Sequence, residues 1–397
     1  MIVKDDQDVQ WLVSDAAFPH LVAAQQSILE QENILTTNKR LRRDMSPERA
    51  ALVLEMVQLR IRARKKFQLA DRMFFTRQSL EQSSGESIAR YKALRFTQGQ
   101  RLADICCGVG GDLLSLAART QAVGIERDPV LAILAQANLL VAGVSGEVRP
   151  VEFPDLDPAD FSAFHFDPNR RHYGRKTIGD LLQPSLPSIL DWIPKNLEVG
   201  IKVAPATPHH RETPEMAERE WIGDARECKQ QLIWLGGAQR LPGGRTATVV
   251  RGEKVDQYQA VLGSEELTQL TTHRVQDFVY EPHPALLAAG LTDSLAGEQG
   301  LARLSVNVAY LTGSFSLDHP FLTRFQVLEV LPMEVKKVAR ELERLKAGPL
   351  EIKKRSVSNV YYDAFKRIKT SGSEPLVVIL TPVGEGSAAI IAKRLPR

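Results

Sequence analysis

The sequence predicts an α/β protein with a Rossmann-like sheet, preceded by helices and followed by a smaller α/β module. From Gly99 onward, short apolar strands alternate with helical segments, the pattern of a parallel sheet with right-handed crossovers. A glycine-rich turn joins the first of these strands to its helix, where such sheets bind ligands. We therefore expect an N-terminal helical domain over 1–96, a central domain over 97–255, a connecting segment over 256–321 and a small module over 322–397.

Capping residues and patterns of apolar residues predict the helices and strands within these segments. Ser46 is a predicted N-cap for a helix with apolar residues at helical spacing, and a second helix is predicted over 86–96. Apolar runs predict strands of the central domain over 101–107, 122–126, 147–153, 161–166, 198–204, 231–236 and 246–251. The last segment is typical of a β-α-β-α-β-β unit whose first helix ends at Gly348 and Pro349.

Composition narrows the class of protein. Hydrophobic residues make up 43% and charged residues 25%, as in globular proteins, and no apolar run reaches membrane-spanning length. The acidic start is unlike a signal peptide, and the three cysteines lack zinc-ligand spacing, so we expect a cytoplasmic protein without a metal. The net charge is only +3, but basic residues cluster near the C-terminus and over 60–66, where they could attract a polyanion. A solvated helix face is the alternative interpretation of each cluster.

The turn from Asp104 to Asp112 carries the predicted cofactor chemistry. Gly108, Gly110 and Gly111 let the backbone turn tightly near a ligand, and the following helix offers unpaired N–H donors. Glu126 ends the second predicted strand, where an acidic side chain can bind both hydroxyls of an adenosine ribose.

The spacing of the glycines favours S-adenosylmethionine over a dinucleotide. A dinucleotide fingerprint needs a third glycine where this chain has Leu113. Asp112 suits the positive groups of S-adenosylmethionine better than a phosphate, and Cys106 is expected in the turn for its small size. Glu152 and Phe153 end the third predicted strand, where an acid and an apolar side chain could bracket adenine. Together with Arg127, which follows the second strand, they are expected to complete the cofactor site.

The segment after the fourth strand holds the candidate catalytic residues, Asp167, Pro168, Asn169 and Arg170. It resembles the Asp-Pro-Pro-aromatic motif of amino-group methyltransferases, with Asn169 and Arg170 in place of the second proline and the aromatic residue. Arg171 and Tyr173 could bind and stack on a nucleic-acid base. Alternatively, an arginine here pairs with an acid such as Glu81, and Lys202 either faces the cleft or pairs with an acid.

Several motifs together resemble one family, the bacterial class I methyltransferases with a C-terminal THUMP-like domain. They include RMFFTRQSLEQSSG, ADICCGVGGD, IERDP, FDPNRR, VGIKVAP, EPHPALLAAGL and LEIKKR. The resemblance implies RNA methylation and a sheet of order 3-2-1-4-5-7-6, with 231–236 and 246–251 as its closing hairpin. It also implies that Arg77 lies near the pocket and that Lys353, Lys354 and Arg355 hold structured RNA.

Two other functions stay open at this stage. The chain could methylate a small molecule, its flanking segments serving as lid and dimer surface. It could also be a non-catalytic RNA-binding protein that retains the fold, because the motif at Asp167 is altered.

Overall fold

The computed structural model describes residues 6–170, 182–208, 213–261 and 271–396. The chain divides into two compact units. The first contains Met1–Glu218, Gln230–Gly243 and Val250–Glu253, and the second contains Arg219–Lys229, Gly244–Val249 and Lys254–Arg397.

Helices and strands are numbered separately in chain order. The helices are α1 (Asp6–Leu12), α2 (Phe18–Leu29), α3 (Ile34–Leu41), α4 (Pro47–Ala63), α5 (Arg77–Gln82), α6 (Glu86–Ala93), α7 (Leu113–Ala117), α8 (Pro129–Ala142), α9 (Leu186–Trp192), α10 (Pro284–Ala288), α11 (Thr292–Glu298), α12 (Val335–Arg344) and α13 (Asn359–Lys366). The strands of the central region are β1 (Arg101–Ile105), β2 (Gln121–Ile125), β3 (Glu147–Arg149), β4 (Ala163–Phe166), β5 (Asn169–Arg170), β6 (Leu182–Gln183), β7 (Glu198–Val203), β8 (Glu218–Gly223), β9 (Cys228–Leu235), β10 (Arg245–Arg251) and β11 (Lys254–Ala260). Those that follow are β12 (Phe278–Pro282), β13 (Ala302–Arg303), β14 (Leu311–Gly313), β15 (Leu322–Pro332), β16 (Ala347–Lys354), β17 (Glu374–Val383) and β18 (Gly386–Arg394).

Helices form the first part of the chain, as the sequence predicts. The Ser46 side chain caps α4 by accepting the N–H of Arg49, and the buried face of α4 includes Val53, Met56 and Val57. These residues belong to an apolar core built by α1–α5 together with residues of α8. The N-terminal helices are therefore packed on the sheet region of the same unit.

A parallel sheet organises the rest of the first unit. Its strands follow the order β9-β7-β4-β1-β2-β3, and β9 pairs antiparallel with β7 while the others are parallel. The expected order is 3-2-1-4-5-7-6, and these strands match its first six positions once β9 is counted as the seventh strand and β8 as the sixth. The carboxyl ends of β1, β2 and β4 lie side by side, with Asp104 opposite both Gly124 and His165.

The expected closing hairpin is wrong. Within the described chain, β9 and β10 are not hydrogen-bonded neighbours. Strand β8, which the sequence did not predict, pairs in parallel with β10. Its charged residues concealed it, because Glu218, Arg219 and Glu220 look exposed in the sequence but are buried in the structure.

The second unit contains a seven-stranded sheet of order β13-β14-β12-β15-β18-β17-β16. Its last part has the predicted element order β15-α12-β16-α13-β17-β18. The predicted helix end was misplaced, however, since α12 ends at Arg344 and Gly348 and Pro349 lie within β16, where the pairing with β17 shifts register.

Candidate active site

The glycine-rich turn connects β1 to α7 at the carboxyl edge of the sheet. Gly108 and Gly110 have positive φ angles of 58° and 89°, which favour glycine, and Cys106 adopts φ 60° as a non-glycine residue. A side chain at Gly111 would place its Cβ 3.0 Å from Ser83 Cβ. The residues before α6 therefore approach this turn closely enough to exclude a larger residue.

Glu126 holds the turn from the end of β2. Its carboxylate accepts the N–H groups of Gly108 and Asp128, each at 3.0 Å, and the residue is 4% exposed. Burial raises the pKa of Glu126, and the two backbone donors only partly offset this effect. The turn thus keeps an acidic group in a poorly solvated position.

A cavity of about 350 Å³ opens beside Glu126, a volume within the range of small-molecule sites. Six predicted residues line it: Cys106, Glu126, Arg127, Glu152, Phe153 and Asn169. The Phe153 ring meets the edges of Trp192 and Phe166 at centroid distances of 5.3 and 6.2 Å. The cavity therefore has an acidic wall and an aromatic wall, which together suit an adenosine.

Asp104 is buried next to this cavity. Its Oδ1 lies 2.6 Å from Nδ1 of His165, whereas Oδ2 is buried and has no hydrogen-bond partner in the described part of the chain. Burial raises the pKa of Asp104, against the effect of His165. A buried unpaired acceptor is costly, so this oxygen fits a site for a cationic ligand group.

The sequence predicts that the Asp112 carboxylate is available to the cofactor, but in the structure other side chains bind it. Its carboxylate forms an ion pair with Lys92 at 2.6 Å and accepts a hydrogen bond from Ser84 at 2.8 Å. Burial opposes ionisation, but the Lys92 ammonium holds the pKa of Asp112 well below its usual range. The role of Asp112 in cofactor binding stays a prediction.

Asp167 follows β4 on the same edge of the sheet. Lys202 of β7 lies 2.6 Å from its Oδ2 and 3.5 Å from the carbonyl oxygen of Gln82. Burial alone would lower the pKa of Lys202, but the Asp167 carboxylate outweighs burial and raises this pKa. Of the two interpretations of Lys202, the structure therefore supports pairing with an acid, and that acid is the candidate catalytic residue.

The remaining catalytic candidates continue from Asp167. Pro168 leads into β5, where Asn169 and Arg170 pair with Gln183 and Leu182 of β6. The predicted substrate residues Arg171 and Tyr173 lie outside the described residues.

The first basic cluster is divided between exposed residues (Arg62, Arg64 and Lys65) and residues held by neighbours (Arg60 and Lys66), so its role as a polyanion-binding surface stays a prediction. Arg60 is 3% exposed and donates to the carbonyl oxygens of Arg72 and Met73. Lys66 donates to three carbonyl oxygens at and after the end of α5. Arg77 is exposed at the start of α5, while Glu81 forms an ion pair with Arg62 at 3.6 Å.

The basic triplet of the second unit is partly neutralised. Lys353 Nζ lies 2.8 Å from Oε2 of Glu281, and Arg355 lies 3.5 Å from its Oε1. Lys354 lies 5.1 Å from the centre of the Tyr362 ring. These side chains keep positive charge near the surface but are held by neighbours.

Sequence reasoning missed Lys92 and His165. The burial of Lys92 could have been predicted from the sequence, because this residue lies one helical turn after Ile88 on the buried face of α6. His165 stands inside a fully buried strand, next to the strand that carries Asp104.

The thiols show no sign of nucleophilic activation. Burial, and then the nearby Glu126 carboxylate, raise the pKa of Cys106 to about 12. Among the residues that the structure describes, no group of three or more His, Cys, Asp or Glu side chains could hold a metal ion. No helix in the described ranges is long and apolar enough to cross a membrane.

Comparisons with known proteins agree with this geometry. Residues 322–394 match the model of the THUMP domain-like family. The chain is 29% identical over 322 residues to an uncharacterized S-adenosylmethionine-dependent methyltransferase of Mycobacterium tuberculosis, found in strains CDC 1551 and H37Rv, covering 79% of this chain and 86% of that protein. A crystal structure from Porphyromonas gingivalis W83, provisionally described as a methyltransferase, covers the whole of both chains with a TM-score of 0.76 and 20% identity, which shows a shared fold.

Proposed function

Because this chain is a class I S-adenosylmethionine-dependent methyltransferase with a THUMP-like domain at its C-terminus, we propose that it methylates a base nitrogen of a structured RNA, in tRNA or rRNA. The observation that carries the RNA proposal is the THUMP-like match over 322–394, a resemblance that implies a module for holding structured RNA. The segment from Pro320 onward has 15 basic and 8 acidic residues, so its charge of 15 − 8 = +7 also favours a polyanion. A cytoplasmic location stays a prediction.

We assign the cavity beside Glu126 to the adenosine of the cofactor. Glu126 would accept the ribose hydroxyls, while Phe153 and Glu152 would contact the adenine. The unpaired Oδ2 of Asp104 would accept a positive donor of the methionine part. The bound cofactor supplies an electrophilic methyl group, and the protein has to bring a nucleophile in line with it.

Asp167 is the residue best placed to orient that nucleophile. Lys202 binds Oδ2, which leaves Oδ1 to accept a hydrogen from the target amino or imino group. Asn169 lines the cavity, and Pro168 connects it to Asp167 along the chain. Direct transfer needs no covalent enzyme intermediate, which agrees with the high pKa of Cys106.

The test uses RNA from a strain in which the gene is deleted. Purified protein and methyl-labelled cofactor are incubated with this RNA, and its nucleosides are analysed by mass spectrometry. We expect one methylated nucleoside, and about 100-fold slower transfer by Asp167→Asn, the loss typical of removing a positioned acid–base group.

Two controls distinguish a loss of transfer from a loss of cofactor binding or a non-specific effect. Asp167→Asn should bind the cofactor as the wild type does, and the exposed Asp160→Asn should leave transfer unchanged. If RNA from the deletion strain accepts no methyl group while a small-molecule extract does, the RNA proposal is wrong. Absence of cofactor binding at millimolar concentration would contradict the enzyme assignment itself.

A further inference from the structure

A chain of buried polar side chains lies beneath the glycine-rich turn. It runs from Asp112 to Lys92 at 2.6 Å, from Lys92 to Nε2 of His165 at 3.4 Å, and from Nδ1 of His165 to Asp104 at 2.6 Å. All four residues are at most 5% exposed. Because burying such groups is costly, their arrangement has to be compensated by specific contacts.

The ion pair with Asp112 favours the charged form of Lys92, although burial lowers the pKa of this lysine. An ammonium can only donate, so with Lys92 charged, Nε2 of His165 has to accept from it. The other ring nitrogen, Nδ1, then carries the hydrogen and donates it to Oδ1 of Asp104. Lys92 thereby selects the tautomer of a residue located on a different element.

His165 and its partners lie among charged side chains from several elements. These are Lys92 from α6, Asp104 from β1, Asp112 from the turn, Asp167 after β4 and Lys202 from β7. The Phe96 ring, just after α6, meets the imidazole edge-on at 6.5 Å. Of the charged groups, Lys92 and Asp104 are the ones that contact the two ring nitrogens.

The tautomer determines which oxygen of Asp104 is available. Since Oδ1 is occupied by His165, the buried Oδ2 is the oxygen left for a ligand. If Nδ1 lost its hydrogen, it would repel Oδ1, and the carboxylate would lose the contact that fixes its orientation.

We propose that Lys92 and His165 are positioning residues of the cofactor site, which fix the carboxylate of Asp104 so that Oδ2 faces a positively charged ligand group. This inference rests on the proposed cofactor site. It gives the helices before the sheet a specific task, because Lys92 comes from α6. If Lys92 only anchored α6, its ion pair with Asp112 would be sufficient and its contact with His165 would not be needed.

The first test measures the tautomer directly and needs no ligand. Nitrogen NMR of histidine-labelled wild-type protein should show Nδ1–H and an accepting Nε2 at His165. In Lys92→Met, Nε2 loses its donor, so the imidazole should no longer be held in this single tautomer. A wild-type protein with hydrogen on Nε2 would overturn the proposal even if no variant folds.

The second test links the tautomer to binding. Calorimetry with S-adenosylmethionine should show about tenfold weaker binding to Lys92→Met, equivalent to about 1.4 kcal/mol. Lys92→Arg should recover most of the affinity, since it retains a donor and a charge. The exposed Lys195→Met serves as the matched control and should bind as the wild type does.

The outcomes separate this inference from the proposed function. If the wild type does not bind S-adenosylmethionine, the function is wrong, while the NMR result still decides the tautomer. If a folded Lys92→Met binds the cofactor with wild-type affinity, Lys92 only anchors α6 and the positioning role is wrong.

Discussion

At the residue scale, Asp104 combines an unfavourable environment with a useful position. Its carboxylate is fully buried, and Oδ2 has no hydrogen-bond partner in the described part of the chain. Such a group weakens the free protein but strengthens binding of a cation that reaches it.

Asp104→Asn should separate these two effects. Because burial raises the pKa of Asp104 in the folded state, the wild-type protein loses stability from this residue as pH rises from about 3.8 through that raised pKa. We therefore expect the variant to gain stability relative to the wild type as the pH rises above about 3.8, while its affinity for S-adenosylmethionine falls at least about tenfold.

Thermal unfolding at several pH values, together with calorimetry, checks this expectation. If the difference in stability between the wild type and the variant does not change with pH, burial does not penalise the ionised form of Asp104 and the expectation is wrong. Asp160→Asn is the exposed control, for which neither quantity should change.

The sequence was informative about residues near the glycine turn but less so about their contacts. Cys106, Glu126, Phe153 and Asn169 come together around one cavity as the strand order implies. The partners of Asp112 and Asp167 could not be predicted, because Lys92 and Lys202 are 20 and 35 residues away and nothing local indicates their direction.

At the element scale, a second buried cation follows α6. Arg95 donates to both carboxylate oxygens of Glu218, at 2.7 and 3.0 Å, and both side chains are fully buried. Glu218 also accepts the backbone N–H groups of Arg240 and Leu241, and Arg95 lies 4.9 Å from the centre of the Trp234 ring. This pair connects α6 with the start of β8.

Arg95→Met should lower the free energy of unfolding by about 3–5 kcal/mol, because it leaves a buried carboxylate without its counter-charge. Denaturant unfolding measures this loss. Arg90→Met, which removes an exposed pair with Glu86 at 3.7 Å, should cost less than about 1 kcal/mol. Equal effects of the two substitutions would contradict the importance of the buried pair.

The same pair explains why β8 could not be recognised from the sequence. Glu218 and Glu220 look solvent-exposed by type, and contacts that the sequence does not reveal, such as those with Arg95 and Thr248, make their burial possible. In contrast, β1, β2, β4 and β7 are apolar runs that report burial locally, and they were predicted to within a few residues.

At the scale of the whole molecule, charge is distributed unevenly along the chain. The exposed side of α12 carries Lys336, Lys337 and Arg340, whereas Lys353 and Arg355 of the predicted triplet pair with Glu281. If RNA contacts this module, α12 should therefore contribute at least as much as the triplet.

Lys336→Glu combined with Arg340→Glu should weaken binding of the RNA substrate and reduce the salt dependence of its affinity. Loss of two phosphate contacts would lower the slope of log K against log salt by about two. Filter binding at several salt concentrations measures it, with the exposed Lys195→Glu and Lys254→Glu as a charge-matched control. An unchanged slope would place the RNA elsewhere.

The two cations of the α6 region also bear on how this enzyme could be rearranged by evolution or by protein engineers. Lys92 and Arg95 precede the sheet in sequence, yet each neutralises a carboxylate inside the first unit. A gene fragment starting at residue 97 would encode Asp112 and Glu218 without their counter-ions. We therefore expect the sheet region to be unstable without the preceding helices, and a fusion or transplanted domain should include them.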